Sequence, residues 1–417
     1  MKLKRRDPVQ KAGQNLTNVV MLFYLTAFLL LALKSYDTLG FVLAGAVPLM
    51  IWLGSALLPK IFPVDGLMLS LTNFLCGLGV LTLYRTNPNY ALQQATWYGL
   101  GILAMLVCVW AVRYLRFGRR AVYLLSAVSL VLLALPLILG DEINGAKNWI
   151  RISQFSFQPS EAVKICLLIV LARFMSERRF WPWFIFTVIC LAMLMLQKDL
   201  GTALMYYGTA LLMAFASTGS FALLLAGLAG GCGAAYAGYR MFAHVKKRVA
   251  IWRNPWIVYD TSGYQIVQGL MALASGGLMG MGLGLGEPTA IPIYESDFIF
   301  AVICEQFGLI FALCVLAIYV ALIWRGATTA IAARKSFHGL IAMGATMMIG
   351  LQSFVIIGGV IKLIPLTGVT LPFVSYGGTS LLCSMCLVGL IQGVESINRD
   401  DLNEDTRMAL EGEEVGL

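Results

Sequence analysis

The fold this sequence predicts is an all-α polytopic integral membrane protein of about twelve membrane-spanning helices with one long extracellular loop. Three observations carry that reading. Hydrophobic residues make up 59% of the 417 and charged residues 12%, with mean hydropathy +0.81, too little polar surface for a soluble domain. Apolar runs near the ~20 residues that a bilayer requires recur along the chain. Lys and Arg cluster between alternate runs, as orientation signals do. The formal charge of +9 therefore marks topology and does not imply nucleic-acid binding.

In chain order, Lys2, Lys4, Arg5, Arg6 and Lys11 place the N-terminus in the cytoplasm. No small-residue cleavage site follows the first apolar run, so it reads as a retained helix. Spans are expected at about 16–34, 38–59, 65–84, 95–115, 120–140, 162–176, 180–196, 200–216, 219–242, 298–325, 338–360 and 378–397. Basic clusters at Arg113–Arg120, Arg173–Arg179 and Arg325–Lys335 fall on one side of this arrangement. Loops 141–161, 243–297 and 361–377 then share the outer face, where Trp, Gly, Pro and ionisable residues concentrate. From Asn398 the chain is acidic and reads as a solvated, disordered cytoplasmic tail. All nine cysteines lie in apolar stretches and suggest neither disulfides nor zinc. With His244 and His338 far apart, a histidine-rich metal site is not expected.

The chemistry is expected where the long loop meets the tenth span, at Ile293-Pro-Ile-Tyr-Glu-Ser-Asp-Phe-Ile-Phe. Asp297 fits a helix cap and a catalyst equally well. Glu305 is a carboxylate inside an apolar span, which is costly and usually functional. On a helix the two share one face, roughly 12 Å apart along the axis. In the loop, Lys246, Lys247 and Arg248 suit a lipid-linked phosphate or diphosphate, or ordinary lipid head groups at an interfacial helix. Glu161 and Lys164 are three apart on one helical face, fit for an ion pair or for substrate contact. Asp199 reads as a cap. The run Ser275–Gly286 lacks a nucleotide-loop setting and is expected to give close backbone packing beside the site. Two prolines and three glycines break the apolar stretch 363–380, expected as a re-entrant element beside a site or a rigid plug.

Six segments together closely resemble the SEDS family of bacterial cell-wall polymerases (shape, elongation, division and sporulation). They are Asn144-Gly-Ala…Trp149-Ile, Gln158-Pro-Ser-Glu, Asp199-Leu-Gly-Thr-Ala, Ser275-Gly-Gly-Leu, Asp297-Phe-Ile-Phe-Ala-Val and Pro365-Leu-Thr-Gly…Leu-Pro-Phe-Val-Ser-Tyr-Gly-Gly. The resemblance implies a ten-helix core over 65–397, preceded by a cytoplasmic N-terminus and two added helices in 1–64 and followed by the tail 398–417. It implies a peptidoglycan glycosyltransferase that polymerises lipid II at the outer face of the bacterial cytoplasmic membrane, for elongation, division or sporulation. The family's essential Asp maps onto Asp297, as general base for the acceptor 4-hydroxyl. The diphosphate is assigned to Arg248, with Lys246 and Lys247, and substrate contacts to Glu161, Lys164 and Glu305. A divalent metal, magnesium or manganese, is an alternative aid to the leaving diphosphate, held by Asp297 with Glu295. A class B penicillin-binding protein, a transpeptidase, is the implied partner, with membrane lipids around the spans. The chain departs from the family at Asn148, at Lys198, at Glu295-Ser296 before the key Asp, and at Ile356, while Gln352 remains. The competing reading is a lipid II flippase. It predicts polar residues along both access paths, whereas the motifs here concentrate on one face.

Overall fold

The structure, a computed structural model, describes residues 8–143, 146–152 and 155–415. Lys2, Lys4, Arg5, Arg6 and the pair Asn144-Gly145 lie outside the described residues. The chain is a succession of long helices. It begins with α1 (Pro8–Ser35) and α2 (Thr38–Trp52), which continues through a π-helical segment, Leu53–Leu57, into α3 (Leu58–Ile61). Next come α4 (Gly66–Thr86), α5 (Pro88–Tyr114) and α6 (Arg119–Leu139). After a small sheet follow α7 (Pro159–Ser176), α8 (Phe180–Leu196), α9 (Leu200–Thr218) and α10 (Phe221–Met241). The shorter α11 (Ala243–Arg253) and α12 (Tyr264–Ser275) lead to α13 (Ile299–Ile331), α14 (Ser336–Val360) and α15 (Gly378–Val415). Asp65, Asn87, Asp199 and Ser220 cap α4, α5, α9 and α10, each accepting a main-chain N–H two or three residues on.

Among the described residues ten helices are long and apolar enough to cross a membrane, so this is a multi-pass membrane protein. The expected spans at 162–176 and 180–196 are helical as well. However, α7 carries Glu161, Lys164 and Arg173, and α8 has only 17 residues. The centre of the bundle is α4 and α15, each 83% buried over its most apolar stretch. At the edge lies α10, with no buried residue.

Loop 243–297 is partly helical, since α11 and α12 take up much of it. Loop 141–161 forms a three-stranded antiparallel sheet, β1 (Asp141–Ile143), β2 (Ala146–Ile152) and β3 (Phe155–Phe157), with Asp141 opposite Trp149 and Ile150 opposite Phe157. The acidic tail is not disordered, since α15 continues to Val415. Its charges find partners: Arg399 pairs with Glu395 at 2.6 Å, Arg334 with Asp401 and Asp405, and Arg113 with Asp400. Such pairs on adjacent helical turns and neighbouring helices favour continuing the helix. The same end of the bundle holds Arg325, which donates to the buried Asp65 at 2.6 Å, and Arg119, which pairs with Glu177 at 3.0 Å.

Two irregular segments enter the bundle, and backbone groups of each find partners there, as an apolar interior demands. α13 is broken at Gly308, which has φ 82° and ψ 176°. The glycine-rich run fills the break. Met281 and Gly282 donate N–H bonds to the carbonyls of Glu305 and Gln306 at 2.9 and 3.0 Å, and Leu309 donates to Gly277 at 3.0 Å. A Cβ on Gly308 would stand 2.3 Å from the Gly280 nitrogen, so only glycine fits. The second segment, Leu371–Ser375, is buried. The Gln94 side chain donates to the Ser375 carbonyl at 3.0 Å, and the Tyr319 hydroxyl donates to the Pro372 carbonyl at 2.6 Å.

Gly308→Ala should therefore cost about 1–3 kcal/mol and lower the thermal midpoint of the detergent-solubilised protein. Gly45→Ala, where an added methyl meets nothing within 4 Å, should leave it unchanged or raise it. Equal midpoints for the two variants would show that the break is not held by this packing.

Candidate functional site

At the end of the bundle opposite the basic clusters, a cavity of about 750 Å³ opens between the sheet, the start of α9, α11, the turn 293–297 and the segment 367–380. Asp297, Glu295, Arg248 and Glu161 all line it, so four of the candidate residues, from three separate stretches, converge. Lys164, Lys246, Lys247 and Glu305 are not among its lining residues.

Asp297 does not cap the helix it precedes. The cap position of α13 is Phe298, and no side chain bonds to the helix start there. Phe298 is fully buried against Gly269 of α12, which anchors the junction. The turn before it is tied to the re-entrant segment by two bonds. The Ser375 hydroxyl donates to the Ser296 carbonyl at 2.5 Å, and the Tyr376 amide donates to the Glu295 carbonyl at 2.8 Å. The carboxylate of Asp297 accepts one bond, from the Ser296 hydroxyl at 2.8 Å, and faces the cavity. Burial pushes its pKa above the usual aspartate value. The Ser296 hydroxyl and the Arg248 guanidinium oppose that shift, and the neighbouring Glu295 charge adds to it.

Arg248 reaches over from α11. Its Nη1 donates to the carbonyls of Thr367 at 2.9 Å and Leu366 at 3.4 Å, which fixes the guanidinium over the loop. Gly368 lies between acid and base. A methyl added there would sit 3.7 Å from Asp297 Oδ2 and 4.0 Å from Arg248 Nη2. Its φ of 75° makes glycine the favoured residue. Thus a half-buried carboxylate and a pinned guanidinium face the same space. Lys246 and Lys247 lie exposed on α11, outside that space. Consecutive helix positions point about 100° apart, so neither follows Arg248 toward the cavity.

Glu161 and Lys164 form a buried ion pair at 2.8 Å. Lys164 also donates to Gln352 Oε1 at 3.1 Å, and Gln352 donates to the Thr370 carbonyl at 2.9 Å. Glu161 thus reaches the cavity wall, while Lys164 braces α7 against α14 and the re-entrant segment. Asp199 is saturated: it accepts from Asn148 at 2.9 Å, Gln158 at 3.0 Å, and the Thr202 hydroxyl and amide at 2.9 and 3.1 Å. It is a cap that joins the sheet to α9. Glu305 lies apart from the cavity. Its Oε1 accepts from the Glu287 amide at 3.2 Å, and it packs against Gly286, so its place is under the glycine-rich run. Because α13 begins at Ile299, Asp297 and Glu305 do not share a helix face. Among the described residues no three His, Cys, Asp or Glu side chains come together as a metal-binding group.

The sequence reading missed the wall from α5. Gln93, Thr96 and Trp97 line the cavity, the Tyr376 hydroxyl bonds to Gln93, and Tyr376 stacks on Tyr90 at 4.6 Å. The signal was there: Gln93, Gln94, Thr96 and Trp97 form a polar and aromatic cluster at the start of an apolar span.

Removing one partner of the buried pair leaves a charge stranded. Lys164→Met should destabilise the protein by about 3–5 kcal/mol, and adding Glu161→Gln should recover most of the loss, read as thermal midpoints in detergent. If the double variant is no better than the single, the pair is not the bracing contact.

A family model described as cell cycle protein, covering FtsW, RodA and SpoVE, matches residues 68–400. The peptidoglycan glycosyltransferase RodA of Mycobacterium tuberculosis strain H37Rv is 35% identical over 361 residues, 78% of this chain and 77% of that protein. Stage V sporulation protein E of Bacillus subtilis is 34% identical over 364 residues, 80% of this chain and 98% of that protein. Among solved structures, a chain of a peptidoglycan synthase complex superposes with TM-score 0.67 at 29% identity, over 81% of this chain and 98% of that one. The rod shape determining protein RodA of Thermus thermophilus superposes with TM-score 0.60 at 28% identity, over the same shares.

Proposed function

The chain belongs to the FtsW, RodA and SpoVE family of cell cycle proteins, and from that premise we propose that Asp297 is the general base of its glycosyl transfer. The protein is a peptidoglycan glycosyltransferase, and its proposed substrate is lipid II. The flippase reading is not favoured, because the relatives are named as glycosyltransferases.

The observation that carries the role of Asp297 is its freedom. Its carboxylate is released from capping, held by a single hydroxyl, and faces a cavity that also holds a pinned guanidinium. In the proposed step Asp297 takes the proton of the acceptor sugar's 4-hydroxyl as that oxygen attacks the donor's anomeric carbon. A new C–O bond forms, and the bond to the lipid diphosphate breaks with its electron pair on the leaving oxygen. Arg248 meets the charge that develops there. Glu161 lies at the wall for polar contact with the sugars, and Lys164 holds it in place. Lys246 and Lys247 stand on the exposed flank of α11 and Glu305 lies beneath the glycine-rich run, so the step is written without them. A divalent cation, magnesium or manganese, is the alternative aid to the leaving diphosphate: Asp297 and Glu295 would hold it, and it would supply positive charge to the leaving group.

We place the cavity on the outer side of the bacterial cytoplasmic membrane, with the basic clusters and α15's acidic extension inside. A class B penicillin-binding protein is the proposed partner, supported by the likeness to a peptidoglycan synthase complex. Residues 65–397 form the proposed catalytic core, 1–64 an added pair of helices, and 398–417 the cytoplasmic end.

The pH dependence tests the base. Asp297 must be ionised to act, and its pKa is raised. Polymerisation should therefore fall as pH drops through a value above the ordinary aspartate range. Glu295→Gln removes a neighbour that raises that pKa and should shift the acid limb to lower pH. Arg248→Gln removes one that lowers it and should shift the limb up, besides weakening substrate binding. An acid limb that neither substitution moves would assign the titration to another group.

A further inference from the structure

A second cavity, about 350 Å³, lies where α1 meets α4 and the broken α13. Phe23, Ala27 and Leu31 of α1, Leu81 of α4, Phe307 of α13 and Leu283 of the glycine-rich run line it. Its wall is aromatic and aliphatic: Phe23 lies 6.1 Å from Phe74, and Phe307 stacks on Phe311 at 4.6 Å. Thr26 lines it too, but its hydroxyl already bonds to carbonyls of its own helix. Nothing in this lining offers a polar ligand a partner until its rim, where Lys34 stands exposed in the last turn of α1.

A second cation lies beside the lining, bonded one residue along the chain from Leu283. Arg85, in the last turn of α4, is exposed and lies against Gly284, next to Leu283, with its Nε donating to the Gly284 carbonyl at 3.4 Å. Neither Lys34 nor Arg85 forms an ion pair among the described residues. The acid nearest Lys34 in the chain, Asp37, is engaged: it accepts from the Leu39 amide at 3.1 Å and the Tyr84 hydroxyl at 2.8 Å. An apolar cleft with two unpaired cations, one at its rim and one beside it, has the charge and the polarity to take a lipid with a negative head group.

We propose that this cleft binds one acyl chain of an anionic phospholipid of the surrounding bilayer, with the lipid phosphate at Lys34 and Arg85. The lipid is a structural ligand and not the substrate. The cleft shares no lining residue with the cavity of Asp297, and its main wall, α1, precedes residue 68, where the family match begins. A chain seated there touches Leu283 and Phe307 together, the run that mends the break in α13 and the residue beside that break. Occupancy would therefore fasten the added helix to the glycine-rich run.

The test uses the full-length protein exchanged into detergent micelles doped equally with phosphatidylglycerol and phosphatidylcholine, with retained lipids counted by native mass spectrometry. Wild type should keep one phosphatidylglycerol in preference to phosphatidylcholine. The surface double variant Lys34→Gln/Arg85→Gln should lose roughly tenfold in phosphatidylglycerol retention and with it the preference. Ala27→Trp, which fills the cleft, should retain neither lipid. If that variant fails to fold, the charge variant decides alone. The proposal is overturned if wild type keeps no lipid or shows no preference, if the charge variant keeps the wild-type ratio, or if added undecaprenyl phosphate displaces the bound phosphatidylglycerol. Counting lipids requires no glycan synthesis, so the result is independent of the role given to Asp297.

Discussion

Backbone without a helix can sit inside an apolar bundle only if its amides and carbonyls find partners there. The segment Leu371–Ser375 meets that demand with side chains from α5 and α13, and it then serves as the fixed point for the site. Ser375 holds the Ser296 carbonyl, and Tyr376 holds that of Glu295. These two bonds turn the chain so that Asp297 faces a cavity instead of capping α13. Without them Ser296 and Asp297 would be free to do what such residues commonly do at a helix start.

The same constraint explains the rest of the site. Thr367 and Leu366, at the edge of the re-entrant segment, offer carbonyls that no helix or strand uses, and Arg248 takes them. Gln352 satisfies Thr370 and is in turn held by Lys164, so the ion pair with Glu161 belongs to the same network. On the other side of α13, the glycine-rich run answers the open bonds at Gly308. Two irregular segments thus give the helix that follows the Asp297 turn a fixed position at its start and a fixed break at Gly308.

Much of this was legible in the sequence because apolar run length and basic residues obey strong rules in membranes. The helices and the end where the basic clusters gather follow from those rules alone. The prolines and glycines of 363–380 marked a re-entrant element or a plug, the family motifs pointed to Asp297 and Glu161, and the cationic loop pointed to Arg248. What was not legible depends on which backbone group meets which side chain. Glu305 looked like a substrate contact because only its place in an apolar span could be read, and the structure gives its carboxylate to the Glu287 amide. Lys246 and Lys247 read as companions of Arg248 at the diphosphate, and helix geometry separates them from it. The tail looked disordered by composition, because its ion-pair partners on α5 and between α13 and α14 lie far away in sequence.

The central claim is that Asp297 acts by chemistry and not by holding the fold, and one comparison addresses it directly. Purified wild type and Asp297→Asn would be given lipid II, with and without a cognate class B transpeptidase, and glycan strands measured alongside thermal midpoints. The account predicts matched midpoints and a loss of about a hundredfold or more in polymerisation, within the range a general base contributes. An amide variant that is equally stable and polymerises at the wild-type rate would contradict it.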